Sequence, residues 1–204
     1  MAPVRVKICG LTSLPDARAA VDAGAEALGF NFYARSRRYV SPAVVAQIAD
    51  HLPPAVCRVG VFVNATREEV IEVAREARLT ALQFHGDEAP DFCTGWPFKV
   101  LKAVRVRDAW AVRDAARYAV DFILVDAYVE GQPGGTGNRI APALLTGFDR
   151  NRLILAGGLT PETVAEAVRT VRPFGVDVAS GVESAPGHKD AALMKRFVAN
   201  AHAA

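Results

Sequence analysis

Val4-Arg5-Val6-Lys7-Ile8-Cys9-Gly10 alternates apolar and polar side chains with the two-residue period of a β-strand. Val4, Val6 and Ile8 fall on one face and Arg5, Lys7 and Cys9 on the other. A parallel strand buried under helices on both faces reads as an unbroken apolar run. A polar face here instead points to the lumen of a closed barrel, where such groups line a site. The same alternation recurs at Arg58, Gly60 and Phe62 against Val59, Val61 and Val63, and at Gln83 and His85 against Leu82 and Phe84. Along the chain eight such runs begin near Val4, Ala27, Cys57, Thr80, Phe98, Asp121, Arg152 and Val176. Their mean step is about 25 residues, one strand-loop-helix-loop unit. Ser41-Pro42 and Thr160-Pro161 each place a capping hydroxyl before a proline at a helix start, and Thr66 with Glu69 reads as a capping box. The expected fold is α/β, a single (β/α)8 TIM barrel spanning residues 1–204, with an open doubly wound sheet as the alternative.

Composition agrees with one sizeable core. Of 204 residues, 51% are hydrophobic and 23% charged, enough to exclude a largely disordered chain. Lys and Arg total 24 against 22 Asp and Glu, a net charge of +2 with the signs interspersed. Neither nucleic acid nor an anionic membrane is an expected partner. The longest stretch without formal charge, Tyr39 to Ala49, is too short to span a bilayer. Cys9, Cys57 and Cys93 are odd in number and lack a C-x-x-C pair, so a reducing, cytoplasmic setting is expected.

In a barrel the functional groups sit at the C-terminal strand ends. Those ends offer Lys7 and Cys9, the loop with Arg35, Arg37 and Arg38, Asn64, His85, Lys102, Asp126, Gly157-Gly158 and Ser180-Gly181. The two glycine turns after consecutive late strands suit a phosphate, because backbone N–H groups approach an anion closely where no Cβ intervenes. Taken singly, each pair is equally a tight strand ending. Asp126 closes an apolar run and is either a site carboxylate or a turn cap. Cys9 alone is more often an inert packing residue, but Lys7 shares its strand face and its charge favours a thiolate. Arg38 and its neighbours offer forked donors for a carboxylate or phosphate, although loop arginines are commonly only solvated. His85 is a substrate contact or a structural histidine. The glycine cluster Gly131 to Gly137 lacks the lysine of a phosphate-binding P-loop and reads as a mobile loop over the site. No histidine spacing assembles a metal site, and no nicotinamide, flavin or P-loop fingerprint is present.

Taken in order, several segments resemble the phosphoribosylanthranilate isomerase family over essentially the full chain. They are Lys7-Ile8-Cys9-Gly10-Leu11-Thr12, Gly29 to Tyr33 with Ser36 to Tyr39, Arg58 to Asn64, Gln83-Phe84-His85-Gly86, Asp126, Gly134 to Gly137, Ala156 to Leu159, and Val176-Asp177-Val178 with Ser180 to Glu183. The resemblance implies a (β/α)8 barrel and an Amadori rearrangement of N-(5-phosphoribosyl)anthranilate without metal or cofactor. It implies Cys9 as general base, Asp126 as general acid and Arg38 on the anthranilate carboxylate. Gly157, Gly158, Ser180 and Gly181 become the phosphate site; Lys7 and His85, at neighbouring strand ends, are taken as further candidate substrate contacts. The implied partner is a small-molecule phosphosugar, bound by a monomer or homodimer. In one departure, Asn138-Arg139-Ile140-Ala141 stand where the family usually continues with phenylalanine and tryptophan. The rivals are the related histidine-pathway isomerase barrel, where an aspartate is expected in place of Cys9, and a non-catalytic anion-binding barrel.

Overall fold

The computed structural model describes residues 4–105, 109–126, 145 and 147–204. Among them eight parallel strands close on themselves in sequence order: β1 (Arg5–Cys9), β2 (Ala27–Asn31), β3 (Cys57–Phe62), β4 (Ala81–Phe84), β5 (Lys99–Arg105), β6 (Phe122–Asp126), β7 (Leu153–Ala156) and β8 (Gly175–Val178). β8 returns to pair with β1, Lys7 lying beside Asp177. The open-sheet alternative is thereby excluded, and each strand starts within one residue of its expected place. The described helices are α1 (Leu14–Asp22), α2 (Pro42–Ala49), α3 (Arg67–Glu76), α4 (Ala109–Ala115), α5 (Val164–Val171) and α6 (Ala191–His202).

Two helix starts follow the sequence reading. The Ser41 hydroxyl accepts from the Val44 N–H at 3.4 Å, with Pro42 in the first turn. Thr66 and Glu69 cap reciprocally: Thr66 N donates to Glu69 Oε2 at 2.7 Å and Glu69 N to Thr66 Oγ1 at 3.2 Å. The third differs. α5 begins at Val164, because the Thr163 hydroxyl accepts the Thr160 N–H at 3.0 Å and holds Thr160 to Thr163 in a turn before the helix. Between β4 and β5 stands a single 3-10 turn, Pro90–Cys93, instead of an α-helix. Phe84, Phe92 and Trp96 pack there edge-on or tilted, with centroids 5.3 to 5.6 Å apart.

The core has two parts. The larger lies between the sheet and the helices; the smaller fills the lumen with Val59, Ala81, Leu101, Ala103, Leu124, Ile154 and Ala156. This corrects the phase of two strands. In β3 Val59 packs in the lumen, while Phe62 faces the helices and Arg58 donates to the carbonyls of Arg78 and Val56. On β5 the lumen positions are Leu101 and Ala103, so Lys102 points outward, away from any site at the mouth. It is buried in an ion pair with Glu88 at 2.7 Å and donates to the Gly86 carbonyl at 2.6 Å. Those bonds tie the β4 loop to the barrel wall.

Candidate active site

At the C-terminal mouth, β1 presents Lys7 and Cys9 to the lumen one above the other, as their spacing of two requires. Lys7 is 4% exposed, and its Nζ donates to Asp177 Oδ1 at 2.7 Å. Burial by itself would lower the lysine's pKa, but the Asp177 carboxylate and the Cys9 sulfur outweigh it and hold the ammonium charged. Cys9 keeps part of its surface open to the mouth. Burial raises its thiol pKa above the ordinary value of 9.0; Lys7 and Lys189 pull it down and Asp177 pushes it up. The expectation that Lys7 favours a thiolate is met in sign and not in size. Burial, with Asp177 adding to it, outweighs the pull of Lys7, so the free site favours a thiol. β2 contributes room: Gly29 lies beside Cys9 in the sheet, and a Cβ there would come within 2.7 Å of Cys9 Sγ and 3.0 Å of Lys7 Nζ.

The loop after β2 separates its three arginines. Asn31 Nδ2 donates to Ser36 Oγ at 3.1 Å, and Ser36 Oγ accepts from Arg38 N at 3.1 Å, closing a turn that leaves Arg35 and Arg37 exposed and swings Arg38 inward. The Arg38 stem crosses Gly10, where φ is +76° and a Cβ would lie 2.4 Å from Arg38 Cδ. Glycine at that position serves both the left-handed backbone and the passage of the arginine. The guanidinium forks onto Glu183, Nε to Oε1 and Nη2 to Oε2, each at 2.7 Å. Lys189, its side chain wholly buried, donates to the same Oε1 at 2.8 Å and to the Ala179 carbonyl at 2.9 Å. Hydrogen bonds from both cations hold the Glu183 carboxyl below the usual range despite its burial.

Across the mouth β6 ends at Asp126, paired in register with Arg105 of β5. His85, just past β4 and on the lumen phase of Gln83, feels the charges of Asp126, Asp177, Lys7 and Arg105. Its pKa is lowered, burial outweighing the two carboxylates, so the imidazole is neutral. Gly157 and Gly158 have φ of +83° and +66°, two successive left-handed residues. A Cβ on Gly158 would meet nothing within 4 Å, so that turn is glycine for its backbone and opens onto free space. Gly181 is constrained differently: a Cβ there would lie 1.9 Å from the Leu159 carbonyl oxygen, so the turns after β7 and β8 touch only because it is absent. Ser180 beside it is exposed.

The structure thus gathers Lys7, Cys9, His85 and Asp126 around one mouth and seats the β7 and β8 turns against each other. The Gly131–Gly137 cluster and the segment Asn138 to Ala141 lie outside the described residues. Asp177, Glu183, Lys189, Gln83 and Gly29 join the site without having been singled out by role. Asp177 had a readable signal, a lone acid between Val176 and Val178 on a lumen-facing phase. Among the described residues no three or more His, Cys, Asp or Glu side chains group as a metal site, and no helix is long and apolar enough to cross a membrane.

A closed barrel whose strand ends converge a thiol, carboxylates, a neutral histidine and two glycine turns defines a (β/α)8-barrel enzyme. A family model described as N-(5'-phosphoribosyl)anthranilate (PRA) isomerase matches residues 6–200. An N-(5'-phosphoribosyl)anthranilate isomerase of Trichlorobacter lovleyi is 50% identical over 202 residues, covering 97% of this chain and 98% of its own. The crystal structure of phosphoribosyl anthranilate isomerase from Thermotoga maritima superposes with a TM-score of 0.91 at 44% identity, covering 98% of this chain and all of that one. A second crystal structure of such an isomerase, in complex with reduced 1-(o-carboxyphenylamino)-1-deoxyribulose 5-phosphate, has a TM-score of 0.87 at 42% identity, with coverage of 98% and 100%. The chain belongs to the N-(5'-phosphoribosyl)anthranilate isomerase family.

Proposed function

We propose that this barrel, one domain over residues 1–204, converts N-(5-phosphoribosyl)anthranilate to 1-(2-carboxyphenylamino)-1-deoxyribulose 5-phosphate, as a monomer or homodimer in a reducing, cytoplasmic setting, with Cys9 as base and Asp126 as acid. The observation that carries the assignment of roles is that β1 ends at a Lys7-flanked thiol and β6 at a carboxyl on the same end of one closed barrel. A proton from Asp126 to the furanose ring oxygen opens the ring and leaves a Schiff-base cation. That cation acidifies the C2′ proton, so a thiolate suffices to remove it and no external electron sink is required. Tautomerisation of the enol to the ketone completes the Amadori product. The step needs a proton donor at Asp126 and a thiolate at Cys9 together. Cys9, a thiol in the free site, gives its proton to bulk water as substrate binds, and the Schiff-base cation formed on ring opening favours the thiolate that remains.

The turns at Gly157-Gly158 and Ser180-Gly181 receive the 5′-phosphate, and Arg38 receives the ring carboxylate, with Glu183 holding the guanidinium plane until then. The test is turnover by the purified chain of N-(5-phosphoribosyl)anthranilate beside the histidine-pathway aminoimidazole substrate. Loss of anthranilate-type fluorescence with the expected ketose as product supports the reading. Turnover of the histidine-pathway substrate alone, or of neither, overturns it.

A further inference from the structure

Gln83 is 1% exposed on the lumen face of β4, with Val61 and Leu101 beside it in the sheet. His85, two residues on, shares that face. Gln83 Nε2 lies 3.0 Å from His85 Nδ1, and Gln83 Oε1 is buried with no hydrogen-bond partner among the described residues. An amide N–H facing Nδ1 requires that nitrogen to carry a bare lone pair. Reversing the amide would let Oε1 accept from an Nδ1–H, but both N–H groups would then occupy the spot where the oxygen now finds nothing. As placed, the amide strands one N–H and the oxygen; reversed, it strands both N–H groups, and a buried orphan N–H is less tolerated than an under-used carbonyl oxygen.

We propose that Gln83 is a positioning residue: its amide fixes His85 as the Nε2–H tautomer, so that His85 meets the bound phosphosugar as a neutral hydrogen-bond donor and neither gives nor takes the catalytic protons. This deepens the isomerase reading and rests on it for the identity of the acceptor. The charged groups facing the imidazole come from four strands. Asp126 on β6 and Asp177 on β8 favour the imidazolium; Lys7 on β1 and Arg105 on β5 oppose it. Burial decides the balance for the neutral ring. An imidazolium could lend a proton beside Asp126 and blur which group is the acid; a neutral ring with its one N–H pointed away from Gln83 cannot.

The intact enzyme, labelled with 15N-histidine, tests this by two-bond 1H–15N correlation at neutral pH, with His85 assigned by its loss in His85→Ala. The expected spectrum shows Nδ1 unprotonated and Nε2 protonated, with the ring titrating below the ordinary 6.5. A protonated Nδ1, or a ring that titrates near the ordinary 6.5, overturns the proposal. Gln83→Glu keeps the shape but offers only acceptors, so it should move the proton to Nδ1, raise the His85 pKa and lower kcat/KM about tenfold, the scale of one misdirected hydrogen bond. Gln83→Leu should leave a tautomer mixture. A purely structural role predicts an unchanged tautomer in both variants, and that result contradicts the proposal. Wild-type turnover keeps the two readings apart. The expected tautomer in a protein that does not isomerise the substrate overturns the reaction assignment alone, and an active isomerase with Nδ1 protonated overturns only the role of Gln83.

Discussion

Gly29→Ala is the perturbation whose consequence the geometry defines best. The added methyl would sit 2.7 Å from Cys9 Sγ, 3.0 Å from Lys7 Nζ and 3.1 Å from Cys9 Cα. Carbon contacts are comfortable at roughly 3.5 to 4.0 Å, so the sulfur must retreat by about 1 Å, and Lys7 has little freedom to give way while bound to Asp177. Displacing a reacting group by about that distance costs on the order of 10²-fold in rate. Overpacking of this kind costs about 1 to 3 kcal/mol, a fall in Tm of about 2 to 12 °C for a domain of this size. The expected result is therefore a folded, somewhat destabilised protein with kcat down about 100-fold and KM nearly unchanged, since the atoms nearest the new methyl belong to Cys9 and Lys7 and not to the anion turns. Steady-state kinetics with thermal unfolding read both numbers. In a Cys9→Ala background the same substitution should cost less stability, because the atom it strikes is gone. Full kcat in a folded Gly29→Ala protein would refute the claim that the position of Cys9 Sγ matters to the reaction.

The buried pair outside the lumen gives a test of its orientation: Lys102→Met leaves Glu88 buried and unpaired and should cost about 3 to 5 kcal/mol by denaturant unfolding, with the Lys102→Met, Glu88→Gln double variant recovering much of it and both retaining KM. Because burial raises the Cys9 thiol above 9.0, alkylation of Cys9 by iodoacetamide in the free enzyme should quicken about tenfold per pH unit from pH 7 to 9, without a plateau in that interval, and substrate should protect it. A rate already level by pH 8 would mean that Lys7 wins over burial. Arg38→Ala should lower kcat/KM for the natural substrate and hardly for an analogue without the ring carboxylate; equal losses would assign the guanidinium only to Glu183.

Strand positions were readable because period and β-branched composition act locally, and the capping hydroxyls at Ser41 and Thr66 are local too. What the alternation leaves open is which face turns inward. Arg58 and Lys102 read as polar lumen or strand-end groups, yet closure of the barrel put Val59 and Leu101 inside and sent both cations outward to carbonyls and Glu88. Thr160-Pro161 looked like a helix start, but the Thr163 hydroxyl three residues on competes for the same turn. Cys9, Asp126 and the glycine turns were visible as residue types at strand ends. The Lys7–Asp177 pair joins residues 170 apart in sequence, and the Arg38–Glu183–Lys189 cluster joins a loop after β2 to one after β8. Such pairings arise only when the barrel closes, which is also why the balance that keeps Cys9 a thiol escaped the sequence.

Turnover of N-(5-phosphoribosyl)anthranilate by Cys9→Ser beside the unchanged protein tests the central claim most directly. Serine nearly preserves shape, so the unfolding transition should barely move, while an alcohol is a far poorer base than a thiolate. Removing the general base should lower kcat by at least about 10²-fold, within the usual 10²- to 10⁴-fold contribution of such a group. A folded Cys9→Ser protein that keeps near-normal kcat would contradict the account and take the C2′ proton away from Cys9.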